Sequence, residues 1–371
     1  MQKRKLVIAS NHAYPFHVGG SETIIKNLSR KLSQKNWEVS VMSTDANRTV
    51  TVGDVVVEPG SPERVVSKAR KLSDQDRILI YSDSSLCLPP LLDSASSIKA
   101  RYSLCTVGCN AALSNSRMLD GFKKYKDKIS FITHSSDYDD AKLLKSNGIT
   151  YQVIPNAVDS SEFFIPKSKF RERMKIGSSA PMMLMVANCF PGKGHEEIIA
   201  MLEKNAYGFP ENSVFVFAFS TPSWPVAKRM TASISERLSR IRRPKCIVLK
   251  DASRDIVCEA FASADVTVLT SLKEVAPVVI LESMAAGIPW ISFPVGNTPD
   301  LPGGVVVPCK IRDAQGYLRP SSLELESFSR EIKELLINDS KRNDLGSAGL
   351  AMVNNFFNWD AVAEMYNAVL Q

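Results

Sequence analysis

Val266-Thr267-Val268-Leu269-Thr270, then Ser271-Leu272-Lys273-Glu274-Val275-Ala276-Pro277, then Val278-Val279-Ile280-Leu281-Glu282-Ser283-Met284-Ala285-Ala286-Gly287, then Ile288 to Phe293: a β-branched run, a loop of small and charged residues, an apolar helical run, and a second β-branched run. The pattern reads as a strand over 266–270, a helix over 277–286 and a strand over 288–293. Pro277 suits the first helical position, where its missing N–H is one that a helix start leaves unpaired anyway. A strand that feeds a helix and then another strand builds a parallel pair with a right-handed crossover.

The same alternation runs outward from this unit in both directions. Toward the N-terminus, strands are predicted over 182–186, 214–219 and 246–249, with helices over 195–204, 226–240 and 254–262; beyond the loop a further strand covers 305–307. Earlier still, strands are predicted over 6–10, 38–43, 55–58, 77–82, 103–107 and 129–134, with helices over 21–32, 62–72 and 136–146. Between these stretches the character changes: Pro155-Asn156 is followed by Pro166, a mixed charged segment and the breaker loop Gly177-Ser178-Ser179-Ala180-Pro181. The chain therefore reads as an α/β protein of two Rossmann-like units, each with a parallel sheet: residues 1–155 and residues 156–356.

Length and composition agree with that division. The 371 residues exceed the ~100–200 of a single domain. With 44% hydrophobic and 23% charged residues, disordered, fibrous and membrane-spanning classes are excluded. The apolar stretch after Met1 is only Leu6 to Ala9, too short for a signal-peptide core, so a cytoplasmic protein is expected. Seven scattered cysteines read as buried thiols of a reducing compartment. The net charge of +7 favours anionic partners. The basic clusters at 123–128, 167–175 and 237–245 carry no interleaved aromatics, so nucleic acid is not an expected partner and the clusters read as solvated surface.

In open parallel sheets, ligands sit beyond the carboxyl ends of the strands. The loops to examine are then 11–20, 188–194, 251–254 and 271–277. Gly19-Gly20-Ser21-Glu22 opens a helix with paired glycines that let backbone N–H groups approach an anion, and equally suits a tight turn capped by Ser21. Lys193, flanked by Gly192 and Gly194, is either a point charge for a diphosphate or an exposed loop lysine. Glu274 falls before the helix and Glu282 about two turns into it. Spacing alone leaves two readings for each: carboxylates flanking a phosphate held at the helix N-terminus, or a dipole partner and a surface glutamate.

Several of these segments resemble, in the same order along the chain, those of glycosyltransferase family 4, retaining enzymes with the GT-B fold. Val153-Ile154-Pro155-Asn156-Ala157-Val158-Asp159 is similar to that family's I-P-N-G-V-D, Gly19-Gly20-Ser21-Glu22 to its G-G-x-E, and Lys193-Gly194 to its K-G. Glu274 to Glu282 matches its E-x₇-E and continues as Glu282-Ser283-Met284-Ala285-Ala286-Gly287-Ile288-Pro289 against E-A-M-A-A-G-x-P. Phe357-Asn358-Trp359-Asp360 resembles the start of the terminal segment, which would carry 357–371 back onto the first domain.

The resemblance implies two domains facing across a cleft that closes on the donor, and a retaining transfer of a hexose from a GDP- or UDP-linked sugar, such as GDP-mannose or UDP-glucose, to a glycan, lipid or protein-linked acceptor. Lys193 would hold the diphosphate, Glu282 the ribose, and Glu274 the sugar as the catalytic residue. Gly19, Gly20, Asn188, Asp251, Ala276, Val278 and Val279 would complete the donor site. No metal or other cofactor is implied, and the resemblance leaves room for peripheral membrane contact and a homodimer. The arginine usual some five residues before the lysine is Asn188 here, and the T-x-H-G segment corresponds to Thr106-Val107-Gly108-Cys109, without its histidine. Those departures keep two other readings open: an epimerase or hydrolase of nucleotide-sugars, and a binding protein that has lost catalysis. His12, His17 and His134 read as surface or core residues. Asp74-Gln75-Asp76 precedes its strand instead of following it, and Asp137-Tyr138-Asp139 opens a helix, so neither reads as the D-x-D of a metal-dependent transferase.

Overall fold

The structure, a computed structural model, describes residues 3–16, 20–81, 87–106, 115–135, 139–205, 208–221 and 224–371. It divides into two compact units: Met1–Ala157 together with Trp359–Gln371, and Val158–Asn358.

The first unit holds strands β1 (Arg4–Ser10), β2 (Trp37–Ser43), β3 (Val50–Val52), β4 (Val55–Pro59), β5 (Arg77–Tyr81), β6 (Arg101–Cys105), β7 (Ile129–Thr133) and β8 (Gln152–Val153), in the order β3-β4-β2-β1-β5-β6-β7-β8. Every pair is parallel except β3 with β4. That antiparallel edge departs from the wholly parallel sheet expected. Only Gly53 and Asp54 separate the two strands, with Gly53 at φ +60°, and so short a connection permits a hairpin but no crossover. The helix Trp359–Leu370 packs on the helix Gly20–Ser33 of this unit, and Asn367 Oδ1 accepts a 2.9 Å hydrogen bond from the Trp37 indole.

The second unit carries β9 (Met182–Asn188), β10 (Val214–Ser220), β11 (Lys245–Lys250), β12 (Val266–Leu269), β13 (Trp290–Ser292) and β14 (Gly304–Val306), ordered β11-β10-β9-β12-β13-β14 and parallel throughout. Helices cover both faces, so its central strands are apolar on both sides. Met182 to Met185 are at most 1% exposed, and each such side chain contributes roughly 1.5–3 kcal/mol on burial. Strand order reverses between β9 and β12, which makes the carboxyl ends of those two strands the switch point of the sheet.

Local differences from the sequence reading have local causes. The strand over 288–293 shortens to β13 because Gly287, at φ +68°, and Pro289 precede it. Pro277 is the N-cap residue, at ψ 113°, and the helix runs Val278–Ala285, with Glu282 its fifth residue and just over one turn in. The 167–175 cluster is not all solvated surface. Arg171, 6% exposed, donates to the carbonyls of Gly177, Ala180 and Ser263 and to the Asp265 carboxylate, tying its helix to the start of β12. Of the seven cysteines expected to be buried, Cys87, Cys105, Cys189, Cys258 and Cys309 are buried thiols, Cys246 is half-buried, and Cys109 lies outside the described residues.

Candidate active site

The loop after β9 is built by two glycines. Gly192 lies at φ +90° and Gly194 at φ +74°, and a Cβ on Gly194 would stand 1.8 Å from the Thr270 carbonyl oxygen. Thr270 Oγ1 in turn donates to the Gly194 carbonyl at 2.7 Å, and the Leu272 N–H to that of Gly192 at 2.8 Å. The loop after β9 is thereby pinned to the loop after β12. On the other side, Gly296 at φ +55° brings its backbone against Val275, whose carbonyl accepts from the Asn297 N–H at 3.2 Å.

This packing brings Lys193 and Glu274 together: Lys193 Nζ donates to Glu274 Oε1 at 2.6 Å, although 81 residues separate them. Both side chains keep some exposure, 21% and 15%, and Lys193 Nζ also lies 5.3 Å from the centre of the Phe190 ring. The half-buried Val278 and Val279 supply the first turn of the helix, whose N–H groups point out of the helix end beside Ala276 and Glu274.

Glu282 is 9% exposed and faces Arg254, which opens the helix Arg254–Ser263 after β11. The same guanidinium reaches Glu162 at 2.5 Å and lies 5.4 Å from the Phe163 ring. Burial raises the Glu282 carboxyl above the ordinary glutamate range, while Arg254 pulls it back toward ionisation. Asp251, at φ +50°, follows β11 directly, its carboxylate accepting the Thr221 N–H at 2.7 Å. Asn188, the exposed last residue of β9, is in register with Ser220.

Of the residues singled out from sequence, Asn188, Lys193, Asp251, Glu274, Ala276, Val278, Val279 and Glu282 all belong to the second unit: Asn188 ends β9, Lys193, Asp251, Glu274 and Ala276 lie on loops that follow strands, and Val278, Val279 and Glu282 lie on the helix Val278–Ala285. Gly20 opens the helix Gly20–Ser33 of the first unit, and a Cβ there would meet nothing within 4 Å. Gly19, His17 and the 107–109 part of the T-x-H-G match lie outside the described residues. His134 is a core residue of the first unit: its Nδ1 is 2.7 Å from the Ile154 carbonyl and its Nε2 3.0 Å from the Tyr81 hydroxyl. Among the described residues, no group of three or more His, Cys, Asp or Glu is placed to hold a metal ion.

Two residues of this region were given no role by the sequence reading, although Arg254 ends one of the loops it singled out. Arg254 looks in sequence like a charged residue after a helix cap, and only the fold reveals that it faces Glu282. His195 follows Lys193-Gly194 directly, and that adjacency was the one available signal. Its ring is 1% exposed, packs edge-on to Phe219 at 4.9 Å between centroids, and has no hydrogen-bond partner on either nitrogen among the described residues. Burial, with the Lys193 charge, lowers its pKa to about 4, so it is neutral at pH 7.

Comparisons with known proteins bear on what such an arrangement does. The family model described as "Glycosyl transferases group 1" matches residues 166–352. A GDP-mannose-dependent monoacylated alpha-(1-6)-phosphatidylinositol monomannoside mannosyltransferase of Corynebacterium glutamicum is 22% identical over 262 residues, which cover 67% of this chain and 64% of that protein. Among solved structures, sucrose-phosphate synthase from Thermosynechococcus elongatus superposes with a TM-score of 0.77 at 15% identity, over 99% of this chain and 98% of that one. Anabaena Alr3699/HepE, solved in complex with UDP and glucose, gives a TM-score of 0.72 at 15% identity over 99% of both chains.

Proposed function

We propose, from the premise that this chain belongs to the glycosyl transferases group 1 family and has the GT-B fold of its structural neighbours, that it is a retaining hexosyltransferase using a nucleoside-diphosphate sugar. The observation that carries the reading is the meeting of Lys193 and Glu274 at 2.6 Å on the switch point of the second sheet, beside the N-terminus of the helix that bears Glu282. A diphosphate needs a cation and aligned N–H dipoles where leaving-group charge develops, and Lys193 with the first turn at Val278 and Val279 provides both. Glu282, held by the Arg254 guanidinium, accepts from the ribose hydroxyls. Glu274 lies on the sugar side of the phosphate, where its carboxylate stabilises positive charge building at the anomeric carbon. In the free chain Lys193 and Glu274 neutralise each other, and the donor diphosphate takes over the lysine on binding.

GDP-mannose and UDP-glucose are the two donors favoured, because the Corynebacterium relative is named for GDP-mannose and HepE was solved with UDP and glucose. The acceptor is carbohydrate-containing. Calorimetric titration with both donors tests the reading. One donor should bind, and Glu282→Ala should weaken it by ~1–3 kcal/mol through loss of a charged hydrogen bond. Glu274→Ala should depress turnover more than affinity. Failure of every GDP- and UDP-sugar to bind would overturn the proposal, and binding without nucleotide release in the presence of any acceptor would point to a protein that binds donors without catalysis, a reading motivated by Asn188.

A further inference from the structure

At the opposite, amino-terminal edge of the first sheet, three neighbouring strands each begin with arginine: Arg4 on β1, Arg77 on β5 and Arg101 on β6. Lys128 stands immediately before β7. The registers Leu6↔Arg77 and Arg77↔Arg101, with Tyr102 opposite Ile129, place Arg77, Arg101 and Lys128 side by side across the sheet. Residues opposite each other in a parallel pair share a face, and so do residues two apart on one strand. Arg4 therefore lies on the same face, two residues beyond that row and opposite Trp37. Like charges directly opposite on adjacent strands are destabilising, and here Arg77, Arg101 and Lys128 follow in succession.

The carboxylates that might offset them are engaged elsewhere or set apart. Asp76 accepts from the Lys5 N–H at 2.7 Å and from the Ser73 N–H and hydroxyl. Among the described residues none of Arg4, Arg77, Lys99, Arg101 and Lys128 makes an ion pair with an aspartate or glutamate, and Arg101 and Lys99 make no side-chain hydrogen bond either. Arg77, 6% exposed, spends its donors on the carbonyls of Asp74, Asp76 and Gln371. Among the described residues Arg4 Nε is buried with no hydrogen-bond partner, and its guanidinium lies 4.2 Å from the centre of the Trp37 ring. Burial, then the charges of Arg101 and Arg4, hold the Arg77 guanidinium below its ordinary range, although Asp76 and Asp74 pull it back in part. These side chains line one cavity of about 510 Å³ together with Asp74, Asp127, Gln75 and Gln371, whose backbone oxygen accepts from Arg77 at 2.6 Å.

We propose that this cavity is a binding site for a small anion carrying a phosphate or diphosphate, held by Lys99, Arg101, Arg4 and the remaining N–H of Lys128. Its volume lies within the ~300–1,000 Å³ range of small-molecule sites and it is a concavity, which suits a compact anion better than a nucleic-acid backbone. The phosphate arrives either on a soluble metabolite or on a lipid headgroup. Guanidinium groups in a row match phosphate oxygens bidentately, and the anion relieves the repulsion along the strand ends.

Inorganic pyrophosphate, titrated into the full chain at constant ionic strength, is the probe. It should still bind the Lys193→Ala variant, in which the diphosphate site of the donor loops is disabled, because this cavity does not involve those loops. Reversing two exposed charges, Lys99→Glu with Arg101→Glu, should weaken that binding at least tenfold and leave donor-sugar affinity unchanged. Loss of pyrophosphate binding on Lys193→Ala with retention in the double variant would overturn the proposal, as would no binding at all. Sedimentation with vesicles of phosphatidylglycerol in phosphatidylcholine separates the two sources: pyrophosphate binding with vesicle pelleting that the double variant abolishes assigns the phosphate to a lipid, and pyrophosphate binding without pelleting assigns it to a soluble compound. Pelleting without pyrophosphate binding counts against the site, since general attraction to a charged membrane needs no cavity.

Discussion

His195 and Glu282 are both buried beside the donor loops, and burial acts on them in opposite directions because one is charged when protonated and the other when not. For His195 the consequence can be worked out. The folded chain holds the ring with a pKa of about 4, against an ordinary value of 6.5, so between those limits the unfolded state binds more protons. The stability due to a neutral His195 is therefore fully present above pH 6.5 and is lost as pH falls toward 4. Linkage over that window gives a loss of about 2 kcal/mol between pH 7 and pH 5. Urea unfolding of wild type and His195→Phe at the two pH values checks this: the wild type should lose about 2 kcal/mol more than the variant. Equal losses would mean that the ring is solvated or paired. The neutral ring also keeps a second positive charge away from Lys193, so the lysine remains the fixed cation of its loop.

At the scale of elements, the donor loops are held by backbone contact more than by side chains. Gly296 sits at φ +55° with the place of its Cβ only 2.2 Å from the Val275 carbonyl oxygen. Gly296→Ala must then strain its own backbone and push on the loop that carries Glu274. An L-residue in that conformation costs ~1–3 kcal/mol and overpacking a similar amount, so a stability loss of about 2–4 kcal/mol and a large fall in turnover are expected. Thermal unfolding and a nucleotide-release assay read both. Gly20→Ala, whose added methyl meets nothing within 4 Å, is the control that should leave stability intact.

Much of this level could be read from the sequence. Strands such as Met182-Met183-Leu184-Met185 and Val214-Phe215-Val216-Phe217 are buried on both faces, so their apolar runs stand out between helical periods. The β3–β4 hairpin did not, because a three-residue edge strand has no interior to mark it. The meeting of Lys193 with Glu274, and of Arg254 with Glu282, depends on loops from different strands converging. No local pattern states that Arg254, rather than solvent, faces a buried carboxylate. Only the likeness of whole motifs to a known family suggested that Lys193 and the two glutamates act at one site.

Across the whole molecule, the distribution of carboxylates decides how the leaving diphosphate is neutralised. A metal-bridged mechanism needs an acidic pair at the carboxyl end of a strand. Asp76 instead precedes β5 and is consumed by Lys5 and Ser73, and Asp139 opens the helix Asp139–Ser146, where a carboxylate complements the helix dipole. The second unit offers Lys193 and a helix N-terminus instead. Catalysis is thus expected to proceed without a divalent ion, and turnover measured in excess chelator should stay close to that without it. Asn188 bears on how fast that turnover is. It occupies the exposed end of β9, adjoining the loop that carries Lys193, and contributes no charge where an arginine would. If the position faces the phosphates, Asn188→Arg should tighten donor binding or raise turnover, by up to the ~1.5–3 kcal/mol of a hydrogen bond to a charged group. Near-complete loss of turnover in chelator, restored by Mg²⁺ or Mn²⁺, would show that a metal supplies the missing charge. The lysine and the helix N-terminus would then be insufficient, and the metal-free mechanism would have to be abandoned.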